Sequence, residues 1–122
     1  MQRPRLLVLA AIIAVSASCG GSSYPTGGGG GGGGGACTGT DLNVAVCDTK
    51  FAPNISNVAV NATVTWTWKG VNTHNVTWLT GPVAKTNSST VTTGTFNQTF
   101  GTAGAYTYEC SIHHFTGTIN VN

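Results

Sequence analysis

Thr63-Val64-Thr65-Trp66-Thr67-Trp68 decides the fold class of this chain. Threonine alternates with a large apolar residue without a break. A period of two puts Val64, Trp66 and Trp68 on one face of a strand and the three threonines on the other. The alternation recurs in Leu42-Val44-Val46, Val58-Val60, Val76-Trp78, Tyr106-Tyr108 and Ile119-Val121. Gly70, Gly81-Pro82, Gly94, Gly101, Gly104 and Gly117 read as turns between these runs. Threonine and valine enrichment fits strands, and no window has the period of an amphipathic helix. About six or seven short strands predict an all-β domain, a sandwich or a small barrel.

Upstream, the composition changes. Arg3 and Arg5 precede an apolar run from Leu6 to Val15 and the small residues Ser16-Ala17-Ser18. This is the charged start, apolar middle and small-residue exit of an export signal. The run is shorter than the roughly 20 apolar residues of a membrane-spanning helix. Cys19, followed by Gly20-Gly21-Ser22, resembles the acylated cysteine of a bacterial lipobox. Residues 1–19 therefore read as an export signal of the lipoprotein type, with ordinary cleavage after Ala17 as the alternative. Residues 20–36 are nearly all Gly and Ser, with nine consecutive glycines from Gly27 to Gly35. They read as a flexible linker, because glycine loses more backbone entropy on ordering than any other residue. Its r.m.s. span is roughly 20–25 Å. Residues 37–122 are left for one small folded domain.

Charge in that domain is sparse and balanced: Lys50, Lys69 and Lys85 against Asp41, Asp48 and Glu109. No basic face exists for nucleic acid to bind by counterion release. Nor do three scattered acids offer a carboxylate pair for acid–base hydrolysis. All six read as solvated surface charges, with Glu109 on the strand face opposite Cys110.

Chemistry concentrates in Cys110-Ser111-Ile112-His113 and in His74-Asn75. A thiolate and an imidazole three positions apart, completed by a distant imidazole, form the donor set of a blue copper electron-transfer site. Such sites take two His and one Cys, with a weak or absent axial ligand. His74 shares a strand face with Val76 and Trp78, and Cys110 with Tyr106 and Tyr108, so both point inward. The chain has four cysteines, and export places them in an oxidising space. With Cys110 kept as a thiolate and Cys19 acylated, Cys37 and Cys47 remain. A disulfide between them would staple the N-terminal edge of the domain, worth about 2–3 kcal/mol. Two free thiols are the alternative. A zinc site using both lacks further ligands at finger spacing.

A longer series of residues points the same way. It runs through Phe51-Ala52-Pro53-Asn54-Ile55, Val64-Thr65-Trp66, His74-Asn75-Val76-Thr77-Trp78 and Phe100. It continues through Gly104-Ala105-Tyr106-Thr107-Tyr108-Glu109-Cys110-Ser111-Ile112-His113 and Gly117-Thr118-Ile119-Asn120-Val121. Over 51–122 this resembles the cupredoxins, in particular the small plastocyanin-like blue copper proteins. The resemblance implies a Greek-key β-sandwich with one copper at one end. It implies His74, Cys110 and His113 as equatorial ligands, and Asn75 as the residue tying the two ligand loops together. The family usually places a methionine two to four residues after the second histidine. Here the chain reads His113-His114-Phe115-Thr116-Gly117, and its only methionine is Met1. The axial position stays open between Phe115 facing the metal without binding, His114 binding, and a backbone carbonyl near Thr73. An absent or very weak axial ligand is expected.

The function expected is that of an exported type 1 copper protein, a monomeric one-electron carrier for redox partner proteins at or near the membrane. It would stand on the periplasmic side or the cell surface, touching the membrane only through its lipid anchor. His113 would lie near the surface, with His114 and Phe115 in a docking patch. Copper storage or delivery is one alternative, although such carriers often use methionine ligands. A metal-free structural sandwich is the other. Catalysis is not expected: copper oxidases and nitrite reductases of this fold need a second, histidine-rich copper site, and only His114 is left over. A thiol nucleophile at Cys110 would lack an orienting third group.

Overall fold

The alternation at 63–68 becomes the central strand of one of two sheets. The computed structural model describes residues 36–122; the expected export signal with Cys19, and the expected linker up to residue 35, lie outside them. Eight strands form: β1 (Asn43–Val46), β2 (Phe51–Ala52), β3 (Ile55–Val58), β4 (Thr63–Trp68), β5 (Thr77–Thr80), β6 (Thr95–Thr99), β7 (Gly104–Glu109) and β8 (Thr116–Val121). One sheet has the order β2-β1-β4-β6 and the other β3-β8-β7-β5. The pairs β1–β4 and β3–β8 are parallel and the rest antiparallel. The fold is an all-β sandwich. No helix of the described residues is long and apolar enough to cross a membrane.

Val64, Trp66 and Trp68 of β4 are buried. Their threonine neighbours turn outward and pair across the strands, Thr63 Oγ1 with Thr99 Oγ1 and Thr65 Oγ1 with Asn97 Oδ1, both at 2.7 Å. Trp66 crosses the sandwich to meet Trp78 of β5 and Tyr108 of β7 edge-on, with ring centroids 5.6 and 5.4 Å away. Tyr108 also rests on Phe51, at 4.6 Å. This aromatic layer fixes the distance between the sheets, and geometry of this kind adds to the burial of the rings themselves. Val44, Ala45 and Val46 of β1 are all buried, because the segment that precedes β1 crosses it. A Cβ at Gly39 would lie 2.2 Å from the Asn43 carbonyl oxygen and 2.3 Å from that of Ala52, so only glycine passes there. The crossing segment is held by a disulfide from Cys37 to Cys47, with Cα atoms 5.9 Å apart.

Several sequence expectations shift. β6 is absent from the alternating runs: it is a polar edge strand, with Phe96 alone packed on the core. The runs also reach too far, since Leu42 and Val60 lie outside the strands and are 47% and 37% exposed. Gly117 is not a turn residue but the second residue of β8, opposite Tyr108. Gly104 opens β7 rather than separating two strands. His74 and Val76 precede β5, in an extended segment that pairs with the chain at Val91 through two backbone hydrogen bonds of 2.9 and 3.0 Å. Three of the six charges are not merely solvated. Lys85 Nζ donates to the Thr99 carbonyl at 2.8 Å and sits over the Phe100 and Tyr106 rings. Glu109 pairs with His114, and Asp48 is built into the site described next.

Candidate metal centre

Local backbone bonds bring the candidate ligating side chains together. Cys110 follows the last residue of β7. Its N–H donates to the Phe115 carbonyl at 3.0 Å, and the His114 N–H donates to the Cys110 carbonyl at 2.7 Å. Left-handed backbone at His114, with φ of 57°, completes the tight loop. This loop folds His113 back over Cys110. His74 arrives on the extended segment before β5, its carbonyl capped by Trp68 Nε1 at 3.1 Å. Cys110 and His74 are fully buried, whereas His113 is exposed.

The donor atoms form a small triangle. Cys110 Sγ lies 3.6 Å from His74 Nδ1 and 3.7 Å from His113 Nδ1, and the two Nδ1 atoms are 3.2 Å apart. The centre of that triangle is about 2.0 Å from each corner, against metal bonds of about 2.0–2.1 Å to imidazole nitrogen and about 2.3 Å to thiolate sulfur, so a small outward shift of Cys110 Sγ would seat an ion. One thiolate and two imidazoles at this spacing suit a soft, redox-active ion such as copper. The donor set therefore fits the metal that its chemistry implies.

Two residues brace the triangle. Asn75 Oδ1 accepts the Ser111 N–H at 2.9 Å, and its Nδ2 donates to Ser111 Oγ at 2.8 Å and Thr90 Oγ1 at 3.1 Å. It thus joins the His74 segment to the Cys110 loop. The other is Asp48, which the sequence presents only as a surface charge. Asp48 Oδ1 lies 3.1 Å from His74 Nε2 and also accepts the N–H groups of Val71 and Asn72, both at 2.9 Å. The Asn72 N–H, followed by the His74 ring, holds the Asp48 carboxyl below the usual carboxylate range. No periodicity or spacing in the sequence joins Asp48 to His74, which lies 26 residues away. Its place next to Cys47 is the only cue.

Two of the three alternatives for the axial position, His114 and Phe115, separate in space. The His114 side chain is 75% exposed and directs Nδ1 to Glu109 Oε2 at 3.3 Å. Phe115 instead packs inward. Its ring is stacked at 10° on His113, with centroids 6.2 Å apart, and lies 5.5 Å from the His74 ring and 4.8 Å from Phe51. Among the described residues, His74, Cys110 and His113 are the group whose donor atoms converge, within 4.8 Å of one another.

The comparisons with known proteins agree with this geometry. A reduced amicyanin variant is 26% identical to the chain, covers 66% of it and 81% of itself, and superposes with a TM-score of 0.59. A purple cupredoxin from Nitrosopumilus maritimus shares the fold, with 23% identity, 66% of this chain and 99% of its own covered, and a TM-score of 0.60. A copper-containing nitrite reductase from Thermus scotoductus shares it over 22% of its length, at 22% identity, 66% of this chain and a TM-score of 0.61. No curated protein is close enough to the chain to count as a match. Residues 39–122 match the sequence profile of the copper binding proteins, plastocyanin/azurin family. An all-β sandwich, a Cys–His–His triangle at one end and a profile match over most of the chain agree: the protein belongs to the plastocyanin/azurin family of copper binding proteins.

Proposed function

We propose that the protein is an exported one-electron carrier that holds one copper between His74, Cys110 and His113. The observation behind this reading is the donor triangle, closed on its His74 and Cys110 corners and open at His113. Copper supplies a one-electron couple, and two imidazoles with a thiolate suit both of its oxidation states. The residues of the chain do the rest. Asn75 and the loop bonds hold the donors at fixed spacing, so little has to move when the charge changes. Phe115 and Phe51 keep water from the buried side. His113, with Ile112, His114 and Phe115 beside it, gives partners an approach within contact of a ligand; Ile112 is 45% exposed. The export signal, the Cys19 anchor and the glycine-rich linker would let the domain reach redox partners near the membrane from the periplasmic side or the cell surface.

Storage or delivery of copper is the competing use of the same site. Voltammetry of the copper-loaded protein separates the two. A carrier gives a reversible one-electron wave and keeps its metal when a Cu(I) chelator is added. Loss of copper to the chelator at each reduction would favour delivery.

The axial position adds a prediction. A thioether helps Cu(II) more than Cu(I); the loop after His113 has no methionine, and Phe115, packed against the His74 and His113 rings, would face the metal without binding it. The reduction potential should exceed that of otherwise similar methionine-bearing sites. Phe115→Met should lower it, by an amount voltammetry resolves. His114→Ala should leave it unchanged, since that ring faces Glu109 and solvent. A large shift in His114→Ala with none in Phe115→Met would reverse the assignment.

A further inference from the structure

We infer that Asp48 is a positioning residue that fixes His74 as its Nε2–H tautomer and, through its charge, lowers the potential of the copper site. The inference rests on the proposal that His74 is a copper ligand, and it concerns a carboxylate that no sequence motif connects to that ligand.

The bridge is part of the frame. Lys69 and Gly70 N–H groups both donate to the Val46 carbonyl, at 2.8 and 3.1 Å. The ends of β1 and β4 are thereby stitched together just before Asp48 on one side and Val71–His74 on the other. Asp48 Oδ1 then collects three donors: Val71 N, Asn72 N and His74 Nε2. The two backbone bonds orient the carboxylate, so its aim at the ring does not depend on the ring. Gly70 leaves the room: a Cβ there would meet Asp48 Oδ1 at 2.3 Å and Asp48 N at 3.0 Å. Cys47, the preceding residue, is tied by the disulfide.

The consequence for His74 follows from proton counting. A neutral imidazole has one N–H, and a charged carboxylate can only accept. The proton therefore stays on Nε2, and Nδ1 offers a lone pair toward Cys110 Sγ and His113 Nδ1. The other tautomer would aim an N–H at His113 Nδ1, 3.2 Å away, and block the triangle. A hydrogen-bonded carboxylate behind a ligating histidine also makes the ring a stronger donor. Its negative charge favours Cu(II) over Cu(I) and so opposes the effect of the missing thioether. Asp48 has a side chain 35% exposed, so solvent weakens that charge without removing it.

Two variants of the full-length protein separate position from charge. Asp48→Asn keeps an oxygen acceptor and removes the charge; Asp48→Ala removes both. Nitrogen-15 NMR of the copper-free protein, at a pH where the histidines are neutral, reads the tautomer directly. His74 should be Nε2–H in the wild type and in Asp48→Asn, and a mixture in Asp48→Ala. With copper bound, Asp48→Asn should shift the Cu(I)/Cu(II) preference toward Cu(I) about tenfold, a rise of about 59 mV for one electron. An Nε2–H tautomer that persists in Asp48→Ala would overturn the positioning role. An unchanged potential in Asp48→Asn would overturn the role of the charge. A wild type that takes up no copper would refute the ligand assignment instead, and the NMR result would still decide the tautomer.

Discussion

Cys110→Ser should give a folded domain that has lost its colour and most of its hold on copper. Cys110 is fully buried and differs from serine by one atom, so the sandwich loses little volume. It stands beyond the end of β7, and the backbone bonds of its loop do not use the sulfur. The donor chemistry changes completely. A hydroxyl is hard, weakly acidic and a poor match for Cu(I), while the thiolate is the soft corner of the triangle. The thiolate-to-copper transition disappears with the sulfur. Because even groups behind the ligands change metal affinity by roughly 10–100-fold, loss of this ligand should exceed that range. Visible absorption and chelator competition measure the two effects, and circular dichroism checks the fold. An intact visible band in the variant would place the chromophore elsewhere.

The second large effect concerns folding. Gly117→Ala should destabilise the domain by about 3 kcal/mol, the upper part of the range for overpacking a core. A Cβ at 117 would stand 2.3 Å from Tyr108 Cζ, 2.5 Å from its hydroxyl and 2.8 Å from Cε2. The ring cannot retreat, because Phe51, Trp66 and Trp78 surround it with centroids 4.6, 5.4 and 5.2 Å away. Its hydroxyl is buried without a partner, so no hydrogen bond is gained by displacing the ring. For a domain of this size the thermal midpoint should fall by roughly 12–24 °C. Gly101→Ala is the control: the nearest atom to its Cβ would be Asn61 Oδ1 at an ordinary 3.7 Å, and the midpoint should hardly move. Equal shifts in both variants would mean that contact with Tyr108 is not the cause.

These residues also show what a sequence can reveal. Val64, Trp66 and Trp68 announce their strand because one face is buried and the other is not. Thr95–Thr99 has little buried face to announce, so β6 stays hidden among polar residues. Gly117 looks like any turn glycine. Its reason is the ring of Tyr108 lying across it, a contact between neighbouring strands that local punctuation cannot register. The convergence of His74, Cys110 and His113 was legible because two of them stand in phase with core aromatics and the third follows Cys110 at a short, fixed spacing. Where the His114 and Phe115 side chains point was not, since the loop turns through left-handed backbone at His114. Asp48 was invisible for a further reason. Its partner is set by the parallel pairing of β1 with β4, which places two distant loop segments side by side.

The most direct measurement is the visible absorption spectrum of the wild-type protein loaded with Cu(II). If His74, Cys110 and His113 hold the metal as one trigonal site, the protein takes up one copper and shows an intense thiolate-to-copper band that reductant bleaches and oxidant restores. A colourless protein that retains no copper would contradict the account.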